Sequence, residues 1–358
     1  MVSTASVLVG VATVLTSICV QAATPAGLYF SNNDWELACD NTRTCRIAGY
    51  HRNGDDDMAV SVLLTRKAGA NQAVTGELQI GNYRENPVLK NLPATFDLSM
   101  RINALTAGKI AVGKDSLTAS LSASQVAALL AALPGNSKIE WSAGGHIWKL
   151  SDKGAAAVLL KMNEFQGRIG TGGALLRKGP QNEDAVLPPV PVPVVIVVPL
   201  TKPLPGDAQF ANRHSKALWK ILRSTVKDDD CPLLTERRSD KEQFSSTRLT
   251  DAKFLVTTPC WSAAYNSGDG YWVVDQSPPH RPLLVTASGS GYAGGGISNG
   301  NISASHKGRG LGDCWSVDDW TWDGAQFIHT KASSSGMCKL VAPGGAWSLP
   351  TITTEVRN

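Results

Sequence analysis

One proline-rich stretch, and the way it divides six cysteines, limits this chain more than any other feature. The stretch LPPVPVPVVIVVPLTKPLP (187–205) holds seven prolines, and each removes the backbone N–H that a central strand needs. It reads as an extended, polyproline-like connector that lies along a domain in its VVIVV part. Cys39 and Cys45 precede it; Cys231, Cys260, Cys314 and Cys338 follow it. If the two sides fold separately, Cys39–Cys45 is forced. Among the other four, the sequential neighbours Cys231–Cys260 and Cys314–Cys338 are expected, with Cys260–Cys314 as the alternative. Irregular spacing without a CxxC argues against zinc.

The first 22 residues, MVSTASVLVGVATVLTSICVQA, carry no charge and end on small or slender residues. They read as a signal peptide cleaved after Ala22, which also removes Cys19. A membrane anchor is the rival reading. Thr13, Thr16 and Ser17 interrupt the run, however, and it stops close to the roughly 20 apolar residues of a span. Ile18 before Cys19 argues against a lipoprotein. The expected layout is signal peptide 1–22, a first β-rich domain 23–186, linker 187–205 and a second β-rich domain 206–358, with no transmembrane anchor after cleavage. An even cysteine count in an exported chain implies disulfides and an oxidising compartment, here the periplasm. The net charge of +4 is spread along the chain, and without a basic face nucleic acid is excluded as a partner.

The fold class expected is α+β, mainly β. DWELACDNTRTCRIAGY predicts a hairpin clamped by Cys39–Cys45, and MAVSVLLTRK, TGELQIG and ATFDLSMRI predict strands. SASQVAALLAAL predicts a helix with a Ser122/Gln125 capping box. KIEWSAGGHIWKL predicts a strand pair, and Ser151 is expected to cap a second helix over DKGAAAVLLKMNEFQ. The second domain opens with a helix, ANRHSKALWKILRS, and then turns to disulfide-pinned hairpins. Ile297 and Ile302 flank Asn-Gly, a hairpin signal. CWSAAYNSGDGYWVV and CWSVDDWTWDGAQFI echo each other and suggest two like hairpins.

GRGLGDCWSVDDWTWDGAQF (308–327) concentrates glycine, acid and tryptophan. A phosphate cradle needs a strand before it and a helix after it; here strand and turn residues follow. Asp313, Asp318, Asp319 and Asp323 lack the alternate spacing of a calcium loop, and Asp55–Asp57 and Asp228–Asp230 read as solvated turns. His51, His146, His214, His280, His306 and His329 are scattered. GISNG places Ser298 in a GxSxG string, but no helix follows, so a turn is expected in place of a nucleophile elbow. No catalytic, cofactor-binding or metal-ligating residue is assigned. Trp320 and Trp322 alternate and so share one strand face. They are either core or a stacking platform beside His306, Lys307 and Arg309. On the second reading a rigid hairpin over 305–327 presents these five residues to an anionic sugar or carboxylate.

FSNNDWELACDNTRTCRIAGY, MNEFQGRIGTGGALLRKG and GRGLGDC…WTWDGAQF together resemble the uncharacterised family of exported proteobacterial proteins catalogued as domain of unknown function 1176. The resemblance implies periplasmic location and brings no activity or site. Trp315 departs from it, standing where glycine is expected after GDC, and implies a tighter loop or an aromatic cap. The first half is also distantly similar to invasion-associated locus B proteins, through DW…C…C and the later helices, which implies envelope or host-surface interaction. The function expected is a periplasmic binding or envelope-interaction protein for glycan, peptidoglycan or a protein partner. A hydrolase with a site assembled from dispersed residues is the alternative, and a structural envelope role a third reading.

Overall fold

The computed structural model describes residues 27–83, 87–236, 244–291 and 297–358. The leader expected over 1–22, with Cys19, and the side chain of Ser298 lie outside the described residues.

The first half contains strands β1 (Leu28–Asn32), β2 (Trp35–Cys39), β3 (Cys45–Tyr50), β4 (Val60–Arg66), β5 (Val74–Ile80), β6 (Thr95–Ile102), β7 (Leu105–Gly113), β8 (Thr118–Leu121), β9 (Ile139–Ala143) and β10 (His146–Leu150). Its longer helices are α1 (Ala123–Ala132) and α2 (Ala155–Phe165). The strands form two antiparallel sheets, ordered β1-β2-β3-β4-β5-β8 and β10-β9-β6-β7. Leu37, Ile47, Val62 and Leu78 of the first sheet and Leu98, Met100, Trp141 and Trp148 of the second share one core with Val126, Leu129 and Val158 of the helices. Alternation delivers these residues to one face. Cys39 and Cys45 are directly cross-strand and bonded. Ser122 and Gln125 form the expected capping box on α1.

Ser151 does not cap α2. That helix begins after Gly154, which takes φ +97° and packs against the Asn32 carbonyl so closely that a Cβ would collide. Ser151 Oγ instead accepts from the Lys153 amide at 3.2 Å, a local turn that competes with helix geometry.

The second half contains β11 (Val194–Ile196), α3 (Phe210–Arg213), α4 (Ser215–Arg223), β12 (Ser245–Arg248), β13 (Lys253–Ser262), β14 (Ser267–Asp275), β15 (Leu283–Gly291), β16 (Ile297–Ser298), β17 (Asn301–Lys307), β18 (Trp315–Trp322), β19 (Phe327–Ser334), β20 (Leu349–Ile352) and β21 (Glu355–Arg357). The sheet β12-β13-β14-β15 is covered on one face by α3 and α4, through Phe210, Leu218, Leu222, Phe254 and Trp272. Its other face, Leu255, Tyr271 and Val273, meets Ile302 and Trp322 of the sheet β16-β17-β18-β19-β20. The expected single helix over 211–224 is broken at His214 (φ −107°, ψ 13°), whose ring lies against Phe210 and His280. The CWS echo does not give like hairpins: Asp269–Gly270 lies inside β14, whereas Asp323–Gly324 turns between β18 and β19. Disulfides Cys231–Cys260 and Cys314–Cys338 join the expected neighbours.

The proline segment is pinned along its length. Arg43 donates to the Pro188 carbonyl at 2.8 Å, and Val194–Ile196 pairs in parallel with Glu355–Arg357.

A third buried cluster straddles this segment. The face of β2–β4 opposite the first core presents Ala38, Ala48, Tyr50 and Leu63 to Val341, Leu349 and Trp347. Burial on both faces explains why every residue of β2 is buried, Glu36 included. Glu36 accepts from Tyr50 Oη (2.5 Å), Tyr29 Oη (3.0 Å) and the Met337 amide (2.7 Å). Beside it Lys339 Nζ donates to Asp34 and Asn53, each at 2.6 Å.

Candidate functional site

The expected hairpin exists: β17 and β18 pair from Asn301↔Thr321 to Lys307↔Trp315, closed by loop 308–314. Gly308 lies against the Cys314–Cys338 bridge, where a Cβ would come within 2.8 Å of Cys314 Sγ. At the far end Asn299 and Gly300 both take positive φ and turn Ile297 onto Ile302.

The five residues singled out from sequence do not converge on one surface. Trp322 is 0% exposed and packs in the core between the two sheets, with the half-buried Trp320 against the same cluster. Trp320 stacks on His329 with ring centres 4.7 Å apart, and His329 Nε2 lies 2.9 Å from Asp318 Oδ1. Arg309 is bidentate to Asp313, at 2.8 and 2.6 Å. Burial would raise the Asp313 carboxyl, but Arg309 and the Leu340 amide hold it below its ordinary value. Asp313, held by Arg309 and accepting the Leu340 amide at 2.7 Å, ties loop 308–314 to Leu340. His306 lies near Asn266 and Trp261. Lys307 alone of the five belongs to the opposite face, with Nζ 5.1 Å from the centre of the Trp315 ring.

That opposite face is open. Because side chains alternate along a strand, residues 302, 304, 320 and 322 are committed to the core side. Asn301, Ser303, Asp319 and Thr321 line a cavity of about 540 Å³ with Ser333 and Lys331. An adjoining cavity of about 380 Å³ shares Lys331, Ser333 and Ser348 and is walled by Trp315 and Trp347. The two make one trough across β17–β20. At about 3.3 Å per residue, its Trp315–Thr321 wall is roughly 20 Å long.

Both indoles are held in place. Trp315 Nε1 donates to the Gly312 carbonyl at 3.0 Å, and Trp347 Nε1 to Ser61 Oγ of the first half at 2.7 Å. Satisfied N–H groups leave the apolar ring area as what these residues offer a ligand. Beyond them run hydroxyls and an amide: Thr321 Oγ1 donates to Asn301 Oδ1 at 2.7 Å, and Ser333 and Ser348 hydroxyls lie 3.5 Å apart. Lys331 and Asp319, 4.0 Å apart, place one charge of each sign within reach. No histidine is among the described residues that line the trough. Among the described residues, the tightest cluster of possible metal ligands is Asp313 with Cys314 and Cys338, and its sulfurs are spent in a disulfide.

The trough was readable as parity. Polar residues at 301, 303, 305 and 307 and apolar ones at 302 and 304 mark which face meets water. Attention to the Trp320/Trp322 pair alone selects the inward face.

No solved structure matches the chain. It is 26% identical over 344 residues to the uncharacterised protein YpfG of Escherichia coli (strain K12), covering 92% of this chain and 94% of that protein. The family described as "Protein of unknown function (DUF1176)" matches residues 29–354. With nearly all of both sheet pairs inside that match, the chain belongs to the DUF1176 family.

Proposed function

We propose that this chain is an exported periplasmic binding protein that takes a glycan of the cell envelope into the trough on β17–β20. The observation that carries the reading is the pairing of two fixed indoles with a run of hydroxyl, amide and charged groups on one open sheet face. The C–H face of a sugar ring stacks on an indole, and its hydroxyls exchange hydrogen bonds with side chains such as Ser333, Asn301 and Asp319. Three disulfides support an oxidising compartment.

Purified protein is tested by calorimetry against soluble peptidoglycan fragments and envelope polysaccharides. At least one binds, and Trp315→Ala weakens that binding about tenfold or more, near 1.4 kcal/mol, while Trp315→Phe keeps most of it. Absence of binding to every member of the panel, or equal binding by Trp315→Ala, overturns the proposal.

A further inference from the structure

A second cavity, of about 550 Å³, lies in the first half, away from the residues of the trough. Its walls come from the segment after β3 (Arg52, Asn53, Asp55), the β6–β7 turn (Asn103), the stretch after α1 (136–138) and β10 (Lys149). We infer that this cavity binds a small organic anion by its carboxylate or phosphate group.

The first argument is charge. Arg52, Lys138 and Lys149 line the cavity against one acid, Asp55, and Lys153 stands beside it, bonded to Asn136 Oδ1 at 3.3 Å. Cations grouped around a concavity focus their field into it, unlike cations spread over a convex surface.

The second argument is that the donors of Arg52 and Lys149 are not consumed. Arg52 and Lys153 both lean toward Oδ1 of Asp152, but at 3.9 and 3.7 Å, beyond hydrogen-bond reach. That oxygen is buried without a hydrogen-bond partner, while Oδ2 accepts the Ser137 amide at 2.8 Å. Asp152 therefore fixes the wall and attracts the cations without saturating them. The Arg52 side chain is 59% exposed, and its guanidinium keeps the planar fork that matches a carboxylate or phosphate. Lys149 has no ion-pair partner among the described residues, whereas Lys138 has Glu140 at 3.0 Å.

The third argument is rigidity. Asn103 Oδ1 accepts the Lys138 amide at 2.8 Å, and its Nδ2 donates to Ser137 Oγ at 3.3 Å. Asn53 is held by Lys339 from the second half. The walls are thus set before a ligand arrives, and mainly the ends of the cations have to order, which lowers the cost of binding.

The experiment titrates the intact protein with glucuronate, glucose 6-phosphate and glucose, at low and at physiological salt. At least one acidic sugar binds, glucose does not, and the affinity falls with salt. Which acid binds reports whether carboxylate or phosphate is preferred. Arg52→Gln and Lys149→Gln each weaken binding roughly tenfold, the scale of one charge-assisted contact, with melting temperature unchanged because both side chains are exposed. Asp152→Asn keeps an acceptor for Ser137, removes the competing negative charge and tightens binding severalfold. Trp315→Ala leaves it unaltered, so this site and the trough are tested separately. The inference is overturned if neither acid binds, if glucose binds as well as they do, or if the Arg52→Gln/Lys149→Gln double variant retains full affinity.

Discussion

Glu36 has no exposed surface, and three donors reach its carboxylate. Burial, the largest influence, raises its pKa, and Tyr50, Tyr29 and the Met337 amide only partly offset that. The folded protein therefore holds this proton more tightly than the unfolded chain. The stability this confers is complete below the ordinary carboxyl range and is lost as pH rises through the raised folded value. Urea midpoints across this range should fall with rising pH for the parent relative to Glu36→Gln, which keeps the acceptor and cannot ionise; parallel curves would refute the assignment. Trp322 and Trp315 on β18 invite a second measurement. Trp322→Ala should cost about 3–5 kcal/mol, the loss of a fully buried aromatic. Trp315→Ala, at the half-buried trough end, should shift the urea midpoint far less while weakening glycan binding about tenfold or more. The alternation that separates these two tryptophans is plain in the sequence. Read on β18 alone, the tryptophans do not say which side faces inward; that comes from the parity of its partner β17, whose Ile302 and Ala304 mark the face that meets Leu255 and Val273.

The elements legible in advance were those whose signals are local. The Cys39–Cys45 hairpin, the α1 capping box, the Ile297–Ile302 turn and the neighbouring disulfides all rest on short-range chemistry. Less legible were β7 and β8, whose residues are largely exposed and give a weak pattern, and the break at His214, whose ring meets His280 far along the chain. The bridges can be ranked by the loops they close. Sequence separations of 29 and 24 correspond to about 3.5 kcal/mol each in the chain-entropy model, and a separation of 6 to roughly 2. Replacing Cys314 and Cys338 by serine should exceed its entropic share, because Lys339 and Leu340 are held one and two residues beyond the bridge. Chemical denaturation of the three double-serine variants should place Cys39/Cys45 as the mildest.

For the whole molecule, we propose that the two halves fold as separate units and then dock. The first core and the helix-covered core draw on residues from one side of the proline segment each, whereas the third cluster needs both. Cleavage within 199–205 should leave fragments that each give dispersed spectra yet co-elute, held by Lys339, Trp347 and the reciprocal Asn41–Thr353 pair. Separation of the nicked chain on a sizing column at moderate salt would show the docking face to be too weak to matter. The parallel pairing of β11 with β21 bears on how the molecule is made. A ribosome delivers the chain from its N-terminal end, so Val194–Ile196 emerges long before Glu355–Arg357 exists to meet it. The middle of the protein must therefore wait for those late residues, and a message cut a few codons short of them leaves the mid-chain strand exposed as an unpaired edge.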